Sequence, residues 1–172
     1  EKEITQIKWD AKAAEKAGFE HFMMKEIHEQ PKAAQDTLAS VIVDKKIDLS
    51  AVGLTEEEIK KISQIYIVAC GSAYHVGVAA QYVMEDLAKI PVRVELASEF
   101  RYRKPLIAKD SLAIVVSQSG ETADSLAALR EAKNLGAKTL AVVNVVGSSI
   151  AREADNVFYT LAGPEIAVAT TK

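Results

Sequence analysis

One cysteine, Cys70, stands among 172 residues, so no disulfide can close within the chain and no cysteine-based zinc site can form. That economy fits a reducing, cytoplasmic setting. Basic residues are not in excess either. With 21 Lys+Arg against 24 Asp+Glu, the net charge is −3, and nothing is available to neutralise a phosphate backbone, which argues against nucleic acid as a partner. No apolar run approaches the length of a membrane span, and no signal-peptide pattern opens the chain. Internal repeats and low-complexity segments are missing as well. What remains is 49% hydrophobic and 26% charged, the balance of a soluble domain with a sizeable core. The opening EKEITQIKWD lacks an initiator Met and the closing VATTK lacks a terminating signal, so the chain reads as a fragment of a longer protein.

The first sixty residues are rich in Lys and Glu. Phe19, Phe22, Met23, Glu26 and Ile27 recur at helical spacing as one amphipathic stripe. Pro31 is expected to end or restart that helix, because proline removes an amide donor; a second helix over about 31–43 follows. Thr55 with Glu58 three residues later predicts a capping box at the start of a short helix. From Ile62 the pattern changes. Short β-branched runs at 65–70, 92–97, 112–117, 140–145 and 156–161 alternate with helical stretches, clearest over 72–90 and 121–136, the latter closed by Gly136. Near-continuous apolar strands between helices predict a doubly wound α/β fold, flavodoxin-like, with a parallel sheet of about five strands buried on both faces and helices ahead of it. The corresponding division is a linker over 1–17, a helical lead-in over 18–61 and the α/β unit over 62–172.

Ligands of such sheets sit beyond the carboxyl ends of the strands. Two junctions there have the composition for it, VACGSAYH and VVSQSGET. In each, a glycine lets the backbone approach a ligand, and the following helix offers free amides and the positive end of its dipole. The hydroxyls of Ser72, Ser117, Ser119 and Thr122 add neutral donors, a set suited to a phosphate dianion. A plainer reading stands beside it: Ser119 as an N-cap, Gly120 as a turn residue and Glu121 as a first-turn anion. Neither junction is a Walker loop, since no Lys follows the glycine, and CGSAYHVG is not a dinucleotide fingerprint. Cys70 has no adjacent base and reads as a packed thiol. His21 and His28 lie seven apart with no third ligand spaced to join them, so no metal is expected. His75, one turn into its helix, is open to either a ligand or a structural role. EFRYRKP reads as a solvated charged corner, with Arg101 or Arg103 available for a subunit contact. No catalytic triad or carboxylate pair is legible, so binding is better supported than catalysis, and no cofactor is expected.

Taken together and in this order, GFEHFMMKEIHEQP, CGSAYH, ASEFRYR, SQSGETADSLAALR and GPEIAVATTK resemble the glutamine–fructose-6-phosphate aminotransferase family, at the first sugar isomerase (SIS) subdomain of its isomerase half. The resemblance runs from about Gly18 to Lys172. It implies a protein of amino-sugar biosynthesis that makes glucosamine 6-phosphate from fructose 6-phosphate and glutamine-derived ammonia. It further implies a glutaminase domain and a second SIS subdomain on the same polypeptide, and a homodimer. The family's sugar-phosphate contacts fall here on Ser117, Gln118, Ser119 and Thr122, on Cys70, Gly71 and Ser72, and on Val168 and Thr170. Ala73 stands where the family commonly has Ser. The family's catalytic groups fall outside these 172 residues, so this stretch is expected to bind sugar phosphate and not to turn it over. An amino-sugar-phosphate deaminase or deglycase of the same fold, or a non-catalytic sugar-phosphate sensor, are the alternatives.

Overall fold

The structure, a computed structural model, describes residues 11–168 and 170–172. The linker expected over 1–17 therefore lies for its first ten residues outside the described set. The chain divides into two compact units: the described residues up to Asp48 together with Tyr159–Lys172, and Leu49–Phe158.

In the first unit, helix α1 (Phe22–Ala39) runs unbroken through Pro31. The expected break does not occur, because contacts on both sides of the proline hold the helix in place. Before it, Glu26 accepts the Ile166 and Ala167 amides at 2.6 and 3.0 Å; after it, the Thr37 hydroxyl donates to Thr160 O at 2.9 Å. Such long-range hydrogen bonds work against the roughly 3 kcal/mol that an interior proline costs. The stripe read from the sequence is covered only in part, with Phe19 and Phe22 half-buried. Glu26 and Lys25 are buried, while Met23 and Ile27 are 45% exposed. A short antiparallel hairpin, β1 (Ile42–Val43) and β2 (Lys46–Ile47), follows, turning through Asp44 and Lys45 at positive φ.

The second unit opens with α2 (Glu56–Lys61), whose capping box is formed as expected. Thr55 Oγ1 accepts the Glu58 amide at 3.2 Å and Glu58 returns the bond to the Thr55 amide at 2.9 Å. Then come β3 (Gln64–Ala69), α3 (Gly71–Ala88), β4 (Val92–Leu96), α4 (Ala97–Arg103), β5 (Ser111–Ser117), α5 (Ala123–Asn134), β6 (Lys138–Val143), α6 (Ser149–Glu153) and β7 (Asn156–Tyr159). The five strands lie in the order β4-β3-β5-β6-β7, and the β3·β4, β3·β5 and β5·β6 pairs are parallel. Strand periodicity assigns the faces. Ile65, Ile67, Leu112 and Ile114 point to one side, where they meet Ala80 and Met84 of α3. Tyr66, Val68 and Ala113 point to the other, against Ala97 and Phe100 of α4 and Ala128 and Ala132 of α5. The sheet is thus buried on both faces, which is why its strands read as continuous apolar runs.

Two local features fix how closely the layers pack. Gly77 of α3 is buried, and a Cβ there would lie 2.8 Å from Ile67 Cγ2 and 2.9 Å from Val94 Cγ1, so the helix rests on the sheet at a distance only glycine allows. On the opposite face, Tyr66 and Phe100 are fully buried edge to face, and the Tyr66 hydroxyl donates to Leu106 O at 2.7 Å. The stretch read as a charged corner is therefore a helix with a buried side. Its two arginines are paired within the unit, Arg101 with Asp124 at 2.7 Å and Arg103 with Glu95.

Candidate functional site

The strand order positions the site. From β3 the chain passes through α3 to β4 on one flank of the sheet; from β5 it passes through α5 to β6 on the other. Adjacent strands whose connections leave in opposite directions and over opposite faces open a crevice at their carboxyl ends. Ala69 is in register with Val116, so the next residues, Cys70 and Ser117, stand side by side at that crevice. The two junctions singled out in the sequence thus meet at one edge of one sheet. Ser125, buried in the first turns of α5, makes the link between them, its hydroxyl 3.7 Å from Cys70 Sγ.

Within the β5 junction, the hydroxyls spend their acceptor capacity on the loop itself. The Gly120 amide donates to Ser117 Oγ at 3.1 Å, the Glu121 amide donates to Ser119 Oγ at 3.2 Å, and Ser117 Oγ and Thr122 Oγ1 share a hydrogen bond at 3.2 Å. The consequence is a count of protons. Ser119 keeps its own hydroxyl hydrogen, and of the two on Ser117 and Thr122 only one is used between them. Two hydroxyl donors are left over. The N-cap of α5 is Thr122, not Ser119, and its side chain makes no capping bond, so the first amides of a twelve-residue helix add to the set. Asp124, the acid in that first turn, is engaged by Arg101. The arrangement concentrates donors without a cation, and so suits an anion with several acceptor oxygens.

Glu121 does not serve α5. It precedes the N-cap, and its carboxylate accepts the Ser149 amide at 2.7 Å, at the start of α6. Hydrogen bonds from the Ser149 side chain and amide, with Arg152 nearby, hold its pKa below the ordinary value. Two main-chain bonds run parallel to this one, Ile150 N–H to Gly120 O and Asn144 N–H to Gln118 O, both at 3.0 Å. Gly120 itself has φ +65°, and a Cβ there would lie 2.6 Å from Ser148 Cβ and closer still to its Oγ. The loop after β6 is therefore the wall against which the Ser117–Thr122 loop is set. The sequence marks it by the same rule as the other two junctions, small polar residues (GSS) beyond a strand's carboxyl end.

Of the other expected site residues, Cys70 is half-buried as the N-cap of α3, and Gly71 (φ +56°) and Ser72 are exposed at the start of that helix. Cys70 packs against the core on the α4 and α5 side, as a packed thiol should. His75 is exposed and stacks edge-on against Tyr74. Val168 and Thr170 belong to the first unit; Val168 is fully exposed and Thr170 has φ +53°. Among the described residues no group of three His, Cys, Asp or Glu is placed to hold a metal ion, and no helix is long and apolar enough to cross a membrane.

The model of the SIS domain family matches residues 58–172. Along its whole length the chain is 63% identical to the glutamine–fructose-6-phosphate aminotransferase (isomerizing) of Clostridium acetobutylicum, of which it spans 28%. The C-terminal domain of the Francisella tularensis glucosamine-fructose-6-phosphate aminotransferase superposes on 91% of the chain with a TM-score of 0.84 and 43% identity, the match covering 44% of that domain. A glucosamine-6-phosphate deaminase from Thermotoga maritima superposes on 87% of the chain and 43% of its own, with a TM-score of 0.69 at 22% identity, a likeness of fold alone.

Proposed function

The chain belongs to the SIS domain family, and from that premise we propose that it is the fructose-6-phosphate-binding isomerase portion of a glutamine–fructose-6-phosphate aminotransferase. The observation that carries the binding half of this reading is the donor cluster at the β3/β5 crevice. Ser117, Ser119 and Thr122 keep two spare hydroxyl protons among them, and the following helix adds amides that its N-cap side chain does not bond. Gln118, Cys70, Gly71 and Ser72 stand at the same edge and complete the phosphate and sugar contacts; for Val168 and Thr170 a sugar contact rests on the family resemblance alone. The choice of sugar rests on identity. At 63% the aminotransferase likeness runs the length of the chain, whereas the deaminase shares the fold at 22%.

In this role the chain works in the cytoplasm, in the formation of glucosamine 6-phosphate. Its partners are a second SIS subdomain and a glutaminase domain of the same polypeptide, and a second copy in a homodimer. The outer face of α3 supports such company, because Val76, Val83 and Leu87 are exposed along it at helical spacing. The site's test is calorimetric titration with fructose 6-phosphate. The unaltered chain should bind, and Ser117→Ala with Thr122→Ala should weaken binding by about tenfold to a hundredfold, read well below the variant's unfolding transition because orphaning the buried Gly120 amide also costs about 1–3 kcal/mol of stability. Equal affinity before and after the substitutions would return the loop to the role of a plain turn.

A further inference from the structure

We propose, resting on the sugar-phosphate reading above, that Glu121 is a positioning residue: its carboxylate fastens the Ser117–Thr122 loop to the loop after β6 and so aims donors at a phosphate that it never touches. An anionic side chain in the middle of an anion-binding loop has the wrong sign for the ligand. In the structure it is turned away and used as a tie. Its carboxylate takes the Ser149 amide at 2.7 Å, and Arg152, which also donates to Gly147 O and to Ser149 Oγ, closes the arrangement from the far side.

Two of the ties between this loop and the 144–150 segment are main-chain bonds that no substitution removes, at Gly120 O and Gln118 O. Glu121 adds a side-chain acceptor that takes both the amide and the side chain of Ser149. Ser148 offers no substitute, since its hydroxyl is buried against Gly120 and has no hydrogen-bond partner. With the tie cut, the Gly120–Glu121 peptide is held to the wall only through Gly120 O. The amides that Ser117 Oγ and Ser119 Oγ accept are those of residues 120 and 121, so slack there reaches both hydroxyls.

The test uses the 172-residue chain and three variants, read by calorimetry with fructose 6-phosphate and by hydrogen exchange of the backbone amides. Glu121→Ala removes the acceptor. It should raise Kd about tenfold and speed exchange at residues 120, 149 and 150. Glu121→Gln keeps a carbonyl oxygen for the Ser149 amide and should hold Kd within about threefold, which also guards against an alanine variant that fails to fold. Glu153→Ala loosens the other end of α6, where Glu153 pairs with Arg130, and should leave Kd within about twofold. The proposal is overturned if Glu121→Ala leaves Kd unchanged, or if Glu153→Ala weakens binding as much. A native chain that binds no fructose 6-phosphate would refute the sugar-phosphate reading instead; the tie would then stand or fall on the exchange at residues 120, 149 and 150.

Discussion

Gly120→Ala is the substitution whose cost the structure fixes most closely. Alanine at φ +65° sits in the left-handed region, at about 1–2 kcal/mol. Its methyl would also lie 2.6 Å from Ser148 Cβ, inside any real contact distance, and the neighbour it meets is a short side chain held at the N-cap of α6, which has no flexible end to swing away. Overpacking of that kind adds about 1–3 kcal/mol. Together these predict a loss of about 2–5 kcal/mol in urea unfolding, or roughly 5–15 °C in Tm for a chain of this size. Ser148→Gly removes both atoms that the new methyl meets. Because Ser148 makes no capping bond, that change alone should cost only a few tenths of a kcal/mol. In the double variant the steric part should return and the conformational part remain, giving a coupling of about 1 kcal/mol or more in a double-mutant cycle. Additive losses would show that the loop does not press against Ser148 as described.

Two further outcomes follow from the charges around the sheet. Glu58, bonded by Lys138 and by the Thr55 cap, has its pKa lowered from 4.5 to about 2; a group depressed on folding contributes stability above the unfolded value that is lost as pH falls toward the folded one. A carboxyl-carbon NMR titration should therefore find Glu58 ionised well below pH 4.5, and Lys138→Met should move its midpoint upward, an unmoved midpoint refuting the pairing. Arg101→Met should weaken fructose 6-phosphate binding about threefold to tenfold by leaving the Asp124 charge unpaired at the start of α5, and Asp124→Asn in the same chain should restore it; a double variant as weak as the single one would assign Arg101 a different role.

How much of this was legible depends on how far apart the partners lie in the sequence. The five strands lie within two residues of the ends that the sequence implies, because burial on both faces writes a continuous β-branched run. The Thr55–Glu58 box is equally local, and it formed. Nothing local shows how Glu26 can lie buried on the amphipathic stripe, because the amides that satisfy its carboxylate, those of Ile166 and Ala167, lie 140 and 141 residues away. The passage of α1 through Pro31 is hidden for the same reason. The helix α4 hid behind its charge: five of the seven residues in EFRYRKP are polar or charged or proline, while the buried side rests on Ala97 and Phe100. The loop after β6 was concealed by a boundary error of two residues. Reading LAVVNV as strand through Val145 absorbs Asn144, whose amide in fact leaves the sheet for Gln118 O. The strand-to-helix composition at β5 marks the loop, but not the wall that holds it.

That wall explains why the loop carries acids at all. Two carboxylates flank the N-cap Thr122, Glu121 before it and Asp124 after it, and either one left free would compete with an anionic ligand for the same amides. Each is drawn off to a different neighbour, Glu121 to the first amide of α6 and Asp124 to Arg101 of α4. The acids thus anchor the junction on both sides, and the potential left at the crevice is that of hydroxyls and helix amides, without an ammonium or guanidinium in the loop. Dipoles fixed in this way act at short range and require several acceptor oxygens in one place, a condition a phosphate meets and a lone carboxylate or chloride does not. On the proposed phosphate reading, selectivity for the group comes from the geometry of the loop rather than from net charge, as suits a chain that carries a net charge of −3.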